Sequence, residues 1–314
     1  MASQAWLDPR NPLNVALTEE MAPTRNTVWR RFRRHKVALI GLVVITLMSL
    51  IAIFSNVITA LIGHPDPNFI DQVNWQGYAL APGAFGHLLG TDELGRDLLA
   101  RLIFGARISL TVALFAVIME ITIGTVLGAI SGYYGGWVDF VIMRITDVVL
   151  SIPLLPLLLV LTAIVAGTSN KASLSFLVIV VLIGGLSWPS VARLVRASFL
   201  SLREREFAEA ARAIGNRDGR IIFRHLLPNA IAPIIVQATL EVANVIILES
   251  VLSFLGFGIQ PPTASWGNML ANAQSNITSA PWAAIFPGLC ILVTVLAINY
   301  LGDGLRDALD PNMV

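Results

Sequence analysis

Long apolar runs alternate with short polar breaks along this chain, and the runs are long enough to cross a membrane. A spanning helix needs about 20 predominantly apolar residues. Val37 to Gly63 carries no charge and predicts a first span. Ile108 to about Tyr134 predicts a second, interrupted by Glu120. Val148 to Ala166 is charge-free and predicts a third, beginning a turn or two earlier, past Asp139. Leu174 to about Ser190 predicts the fourth, and Ala230 to about Gly256 the fifth, with Glu241 and Glu249 inside it. Ala283 to Leu301 predicts the sixth, while "QPPTASWGNMLANAQSNITSAP", residues 260–281, is too polar to face lipid. Glu120 does not break its span. The twelve Ile, Leu, Val and Phe residues there supply roughly −4 to −7 kcal/mol of insertion free energy, against about 2.5–3.5 kcal/mol for one central carboxylate.

Composition agrees with a bilayer as solvent: of 314 residues, 55% are hydrophobic and 13% charged, where about a quarter charged is usual in soluble domains. A net charge of +1 argues against a nucleic-acid surface. Cys290, the single cysteine, cannot form an internal disulfide. The first 36 residues are polar and end in "WRRFRRHK", and the apolar run that follows exceeds a signal-peptide core of roughly 7–15 residues. An uncleaved anchor is therefore expected. Seven Lys or Arg precede the first span and eight lie between Trp188 and Ala230, whereas the alternate loops hold few or none. The positive-inside rule then places both termini in the cytoplasm. The expected organisation is a cytoplasmic tail (1–36), a first transmembrane helix (37–63), an outer loop (64–107), a transmembrane domain (108–302) with a cytoplasmic loop at 191–229, and a cytoplasmic tail (303–314).

That cytoplasmic loop is compact and charged. Phe207, Ala211 and Ile214 follow i, i+4, i+7 and predict one shared helical face. Gly215 stands where a left-handed cap would end the helix, and "NRDG" continues as a turn. A second short helix, "RIIFRHLLP", is expected to stop near Pro228. The result is a helical hairpin, either a re-entry loop whose arginines obey the positive-inside rule or a docking element. Ala210 and Ala211 beside Gly215 would admit another backbone, with Glu209 and the arginines fixing its register.

Glu209-Ala210-Ala211, three residues, Gly215, and the Leu227-Pro228 ending resemble the EAA loop of ABC importer permeases. His225 departs from the family pattern, which has isoleucine there. "HLLGTDELGRDLLARLIFGARISL" (87–110), "LSFLGFGIQPPTASWGNML" (252–270) and "LGDGLRDALDP" (301–311) narrow the resemblance to the second, C-type permease chain of dipeptide, oligopeptide and nickel importers. The family has proline where Ala264 stands. The resemblance implies an all-α integral membrane protein of six transmembrane helices with the type I importer permease fold, a five-span core plus an extra N-terminal span. It implies that Phe207, Glu209, Ala210, Ala211, Gly215, Leu227 and Pro228 belong to a coupling helix seated in a cleft of an ATP-binding subunit. It further implies a second homologous permease chain, two ATP-binding subunits carrying ATP and Mg, an outer solute-binding protein, and a bacterial or archaeal cytoplasmic membrane. No Gly-Lys-Ser/Thr loop is present, so this chain itself is expected to bind no cofactor.

Among other candidates, ionisable groups at membrane depth usually face a cavity or a partner helix. Gln237, Glu241 and Asn244 form an i, i+4, i+7 stripe, and with Glu120 and Glu249 they are candidates for the translocation path or the permease interface. The alternative is hydrogen bonding that only holds helices together. Asp147 is expected near the cytoplasmic end. Prolines 153, 156, 189, 233 and 287 lie in or at the ends of spans, where freed carbonyls need cover. "ELGRDLLARLIFGAR" predicts an amphipathic surface helix with Leu94, Leu98, Leu102 and Gly105 on one side, resting on the membrane interface or, by the resemblance, meeting the solute-binding protein. His35, His64, His87 and His225 lie outside the spans, and none is expected to pair with an acidic residue at metal-ligand spacing. An enzyme is not expected, since no base for a serine hydrolase lies at depth. Two functions stand: the permease subunit of an ATP-driven importer, expected to carry di- or oligopeptides, and a self-sufficient secondary transporter or channel using Glu120 and Glu241.

Overall fold

The computed structural model describes residues 25–75, 77–168 and 172–309. Most of the expected N-terminal tail, Lys171, and residues 310–314, including the end of the 301–311 stretch, lie outside them. The regular elements among the described residues are helices. A short helix, α1 (Arg25–Phe32), precedes α2 (Lys36–Ile53) and α3 (Ser55–Leu61). An irregular loop leads to α4 (Leu98–Tyr134), followed by α5 (Gly136–Ser151), α6 (Leu154–Thr168) and α7 (Ala172–Leu202). Helices α8 (Glu206–Ala213) and α9 (Asp218–Ile221) form the hairpin, and α10 (Leu227–Phe254), α11 (Trp266–Ala273) and α12 (Trp282–Leu309) complete the chain.

Five of these are long and apolar enough to cross a membrane, and α5 with α6 makes a sixth if that bent pair is one span. The third expected span is therefore not straight: α5 and α6 meet at 83°. Ile152 is extended (φ −94°, ψ 126°) because Pro153 crowds a helical conformation at the residue before it and offers no N–H to the helix.

Helix α4 is the axis of the molecule. Its 37 residues reach about 55 Å at 1.5 Å per residue, well beyond a hydrocarbon core of about 30 Å. The separate surface helix expected over residues 93–107 does not form; Leu98 to Arg107 are simply the first turns of α4, and Leu94 lies in the loop before it. Asp97 starts the helix by accepting the Ala100 N–H at 2.7 Å, which satisfies one of the orphan donors of the first turn.

The most extensive helix pairing joins α4 to α7. Gly124, Gly128 and Gly132 recur every fourth residue and meet α7 directly. A Cβ at Gly128 would stand 2.5 Å from the Ala192 carbonyl oxygen, and one at Gly132 would stand 2.7 Å from that of Arg196. Small residues at this spacing let two backbones close up where lipid supplies no hydrophobic drive for helix association. Helix α7 carries on past the expected end of the fourth span, so the expected polar excursion from Val191 begins only after Leu202. Arg193 and Arg196 can stay helical because α5 supplies partners. Asp147 meets Arg193 at 2.6 Å and Asp139 meets Arg196 at 2.5 Å. Helix α2 packs along α12, with Ala38 and Phe32 against Gly304.

Candidate functional site

The hairpin is built at the end of α4. Arg203, just past α7, donates through Nη1 to the Gly132 carbonyl at 3.1 Å, and Arg212 of α8 donates back to the Arg203 carbonyl at 3.0 Å. Tyr133 donates its hydroxyl to Asp218 of α9 at 2.8 Å, and the Arg212 guanidinium lies over the Tyr133 ring. Helix α8 ends on Gly215 at φ +76°, with the Gly215 N–H on the Arg212 carbonyl and the Asn216 N–H on that of Ala211. This is the Schellman closure, and only glycine adopts its left-handed position without strain.

The packed face of α8 is not the one that periodicity suggests. Ala208 and Ala211 are buried against Phe199, Ile221, Ile222 and Leu226, whereas Phe207 is 39% exposed and Ile214 79% exposed. Ala211 therefore separates from Phe207 and Ile214, since a four-residue step leaves it near the edge of that stripe, beside Ala208. Glu209, Ala210 and Gly215 are exposed with Phe207. The second helix also does not stop at Pro228. Residues from Asp218 run through a π turn, Ile222–Leu226, straight into α10. Pro228 sits in the first turn of α10, where its missing N–H costs little.

The intramembrane carboxyls have separate fates. Glu241 is clamped within its own helix, accepting Gln237 Nε2 at 2.6 Å and Asn244 Nδ2 at 3.0 Å. Glu120 is fully buried on α4, and both its oxygens lack a hydrogen-bond partner among the described residues. It lies between Ala116 and Gly124, which both meet α7. Glu249 is fully buried too, but satisfied: Ser109 of α4 donates to it at 3.1 Å and Ser253 at 2.7 Å. A cleft of about 800 Å³ between α2, α4 and α10 is lined by apolar side chains such as Ile45, Leu114 and Val242, and none of the five candidate path residues lies on it.

Residues 124–314 match the family described as binding-protein-dependent transport system inner membrane component, and residues 25–82 match the N-terminal transmembrane domain of oligopeptide transport permease C. The chain belongs to this permease family. It is 42% identical to the dipeptide transport system permease protein DppC of Alkalihalophilus pseudofirmus, over 98% of this chain and 95% of that one. It is also 42% identical to a glutathione transport system permease protein of Pectobacterium atrosepticum, over 91% and 90%. A chain of the MetNI methionine ABC transporter, solved in inward-facing conformations, has a similar fold, at TM-score 0.52 and 19% identity over 68% of this chain and 98% of that one. The permease is thus a multi-pass inner membrane transport subunit of an ABC importer. A system of this kind works with an ATPase and a binding protein.

Two parts of this permease escaped the sequence reading. The polar stretch after α10 folds back as α11, capped by Ser265 and Asn268 in a reciprocal capping box. Trp266 is fully buried and donates its ring N–H to the Leu102 carbonyl at 3.2 Å, and its backbone N–H reaches Ser109 at 3.4 Å. Ser253 meanwhile accepts the Ile259 N–H at 3.0 Å. Glu249 is therefore the centre of a network that fastens the returning chain to α4 and α10. The S-W-G-N capping signal was visible in the sequence; its partners were not. The second part is the loop before α4, where the absence of histidine–carboxylate pairing expected from the sequence does not hold. His87 lies between Asp97 (2.8 Å) and Asp71 (3.3 Å). Hydrogen bonding, led by the Asn74 side chain, holds the Asp71 carboxyl below its ordinary range, whereas burial pushes that of Glu93 up.

Proposed function

We propose that this permease forms half of the translocation path of a peptide importer. It pairs with a second homologous permease chain and couples to two ATP-binding subunits, which carry ATP and Mg, through the hairpin around Glu209 and Gly215. The arginine distribution favours a cytoplasmic hairpin, with both termini on that side and the loop before α4 facing an outer binding protein. Di- or oligopeptides are the cargo that suits the named relatives.

One observation carries the coupling role. Helix α8 turns only Ala208 and Ala211 inward, while the hairpin leaves three large apolar side chains, Phe207, Ile214 and Phe223, exposed. Each such side chain contributes about 1.5–3 kcal/mol once buried, so a cleft that receives them gains several kcal/mol. Glu209 and Ala210 are exposed on the same helix as Phe207, and Pro228 is exposed where α10 begins, while Leu227 packs against the hairpin core. Gly215 is the marker of the exposed surface, because a Cβ there meets nothing within 4 Å of this chain. Glu120, Gln237, Glu241, Asn244 and Glu249 divide in this reading. Unpartnered Glu120 and the exposed end of the Gln237–Asn244 stripe belong to the path or the permease interface, and Glu249 holds the bundle together.

The test is Gly215→Glu in the assembled importer. A left-handed non-glycine residue costs about 1–2 kcal/mol, which the fold tolerates. Peptide uptake should fall at least tenfold while ATP hydrolysis persists. Uptake at the wild-type rate would remove the hairpin from the coupling path.

A further inference from the structure

The loop between α3 and α4 converges two imidazoles and a carboxylate from distant positions. His64 follows α3, His87 follows the turn Ala84–Gly86, and Asp97 caps α4. Asp97 uses Oδ1 on the Ala100 N–H and turns Oδ2 towards His87 Nδ1 at 2.8 Å and His64 Nε2 at 3.7 Å. The two rings stack with centroids 4.9 Å apart. One donor atom from each of the three residues lies within 4.8 Å of the others. His87 and Asp97 are buried and His64 half-buried, so the cluster opens at one side.

The far side of His87 gives the independent clue. Its Nε2 faces Asp71 Oδ2 at 3.3 Å, and Asp71 is itself fixed by Asn74 Nδ2 at 2.8 Å. A neutral imidazole has one N–H. Whichever carboxylate takes it, the other ring nitrogen turns its lone pair towards a carboxylate oxygen, that of Asp97 at 2.8 Å or that of Asp71 at 3.3 Å, which is repulsive unless a positive species lies between them. A second proton on His87 could serve. A cation does more, because it also uses His64, whose nitrogen stands too far from Asp97 for a hydrogen bond. A carboxylate behind a ligating histidine is the arrangement that orients such rings towards a metal. The neighbouring arginines do not supply the charge: Arg96 and Arg101 are both drawn to Asp92, at 2.7 and 3.3 Å.

We propose that His64 Nε2, His87 Nδ1 and Asp97 Oδ2 hold a first-row divalent cation of the zinc type, oriented by Asp71, which ties the segment after α3 to the first turn of α4. Two imidazoles and one carboxylate suit such a metal, whereas calcium and magnesium favour all-oxygen sites.

The test uses the full-length chain in detergent, stripped with a chelator and then titrated with Zn²⁺ by calorimetry and with Co²⁺ by visible absorption. One equivalent of Zn²⁺ should bind, Co²⁺ should develop ligand-field bands, and excess Mg²⁺ should displace neither. His64→Ala removes a half-buried ring and should weaken Zn²⁺ binding more than tenfold. Asp71→Asn should weaken it about 10- to 100-fold, and His225→Ala should leave it unchanged. Should His87→Ala fail to fold, the His64 and Asp71 variants still decide the matter. Absence of saturable Zn²⁺ binding, or equal binding by wild type and His64→Ala, overturns the proposal and leaves His87 hydrogen-bonded between its two carboxylates with no metal.

Discussion

The two ends of α4 are finished differently. At its start, the returning helix α11 delivers a fully buried Trp266, and Ser109, Glu249, Ser253 and the Ile259 N–H join in one hydrogen-bonded network. At its other end, Gly132 and Tyr133 receive a hairpin that buries only alanines from α8 and leaves Phe207, Ile214 and Phe223 exposed. Apolar groups of that size are left outside when another surface covers them. The first end is completed by this chain. The second leaves an apolar face that the described residues do not cover, the face assigned above to the proposed coupling.

The contrast can be broken most severely along the helix pairing that joins the two ends. Gly128→Leu should cost about 3 kcal/mol or more, because the added side chain meets the Ala192 backbone; a steep fall in the thermal midpoint of the detergent-solubilised chain is the readout. Glu249→Leu should follow at about 2 kcal/mol, since it leaves Ser109 and Ser253 without their acceptor. Glu249→Gln, which keeps an acceptor oxygen, should recover part of that loss. Phe207→Ser with Ile214→Ser should change the stability of the isolated chain by no more than about 0.5 kcal/mol yet abolish copurification of ATP-binding subunits. A large loss of stability in the isolated chain would mean that the hairpin face serves this chain after all.

The smallest expected effect lies in the loop. Burial raises the Glu93 carboxyl above its ordinary value, with Asp92 repulsion adding to it. The folded state therefore holds its proton to higher pH than the unfolded state does. Stability from this group is fully present below the ordinary carboxyl value of 4.5 and is lost as pH rises through the raised folded value. Glu93→Gln should be stabilising at pH 7, within about 0.5 kcal/mol, and that advantage should vanish below about pH 4.5.

Much of this was legible in residue order. Apolar runs marked the spans because a bilayer accepts few other segments, and Gly215 marked the end of α8 because the left-handed cap tolerates little else. Misplaced boundaries share a cause. Arg193 and Arg196 look like loop residues until Asp147 and Asp139 are placed beside them on α5, and Leu98 to Arg107 look like a surface helix until α4 is seen to exceed the membrane. Ala211 was assigned to the face of Phe207 and Ile214 because periodicity knows angles but not neighbours.

Local chemistry thus determined what each segment is: an apolar helix, a capped helix, a proline break at 153, a charged hairpin. Those are short-range properties, fixed by the solvent each residue can tolerate and by backbone sterics within a few positions. Only the tertiary structure decided that Glu249 is enclosed by serines while Glu120 has no such partner among the described residues, that His64 and His87 meet at Asp97, and which side of α8 stays exposed. Such matters depend on which distant residues share a few ångströms, and hydrogen bonds and close packing act at that range, whatever the separation along the chain.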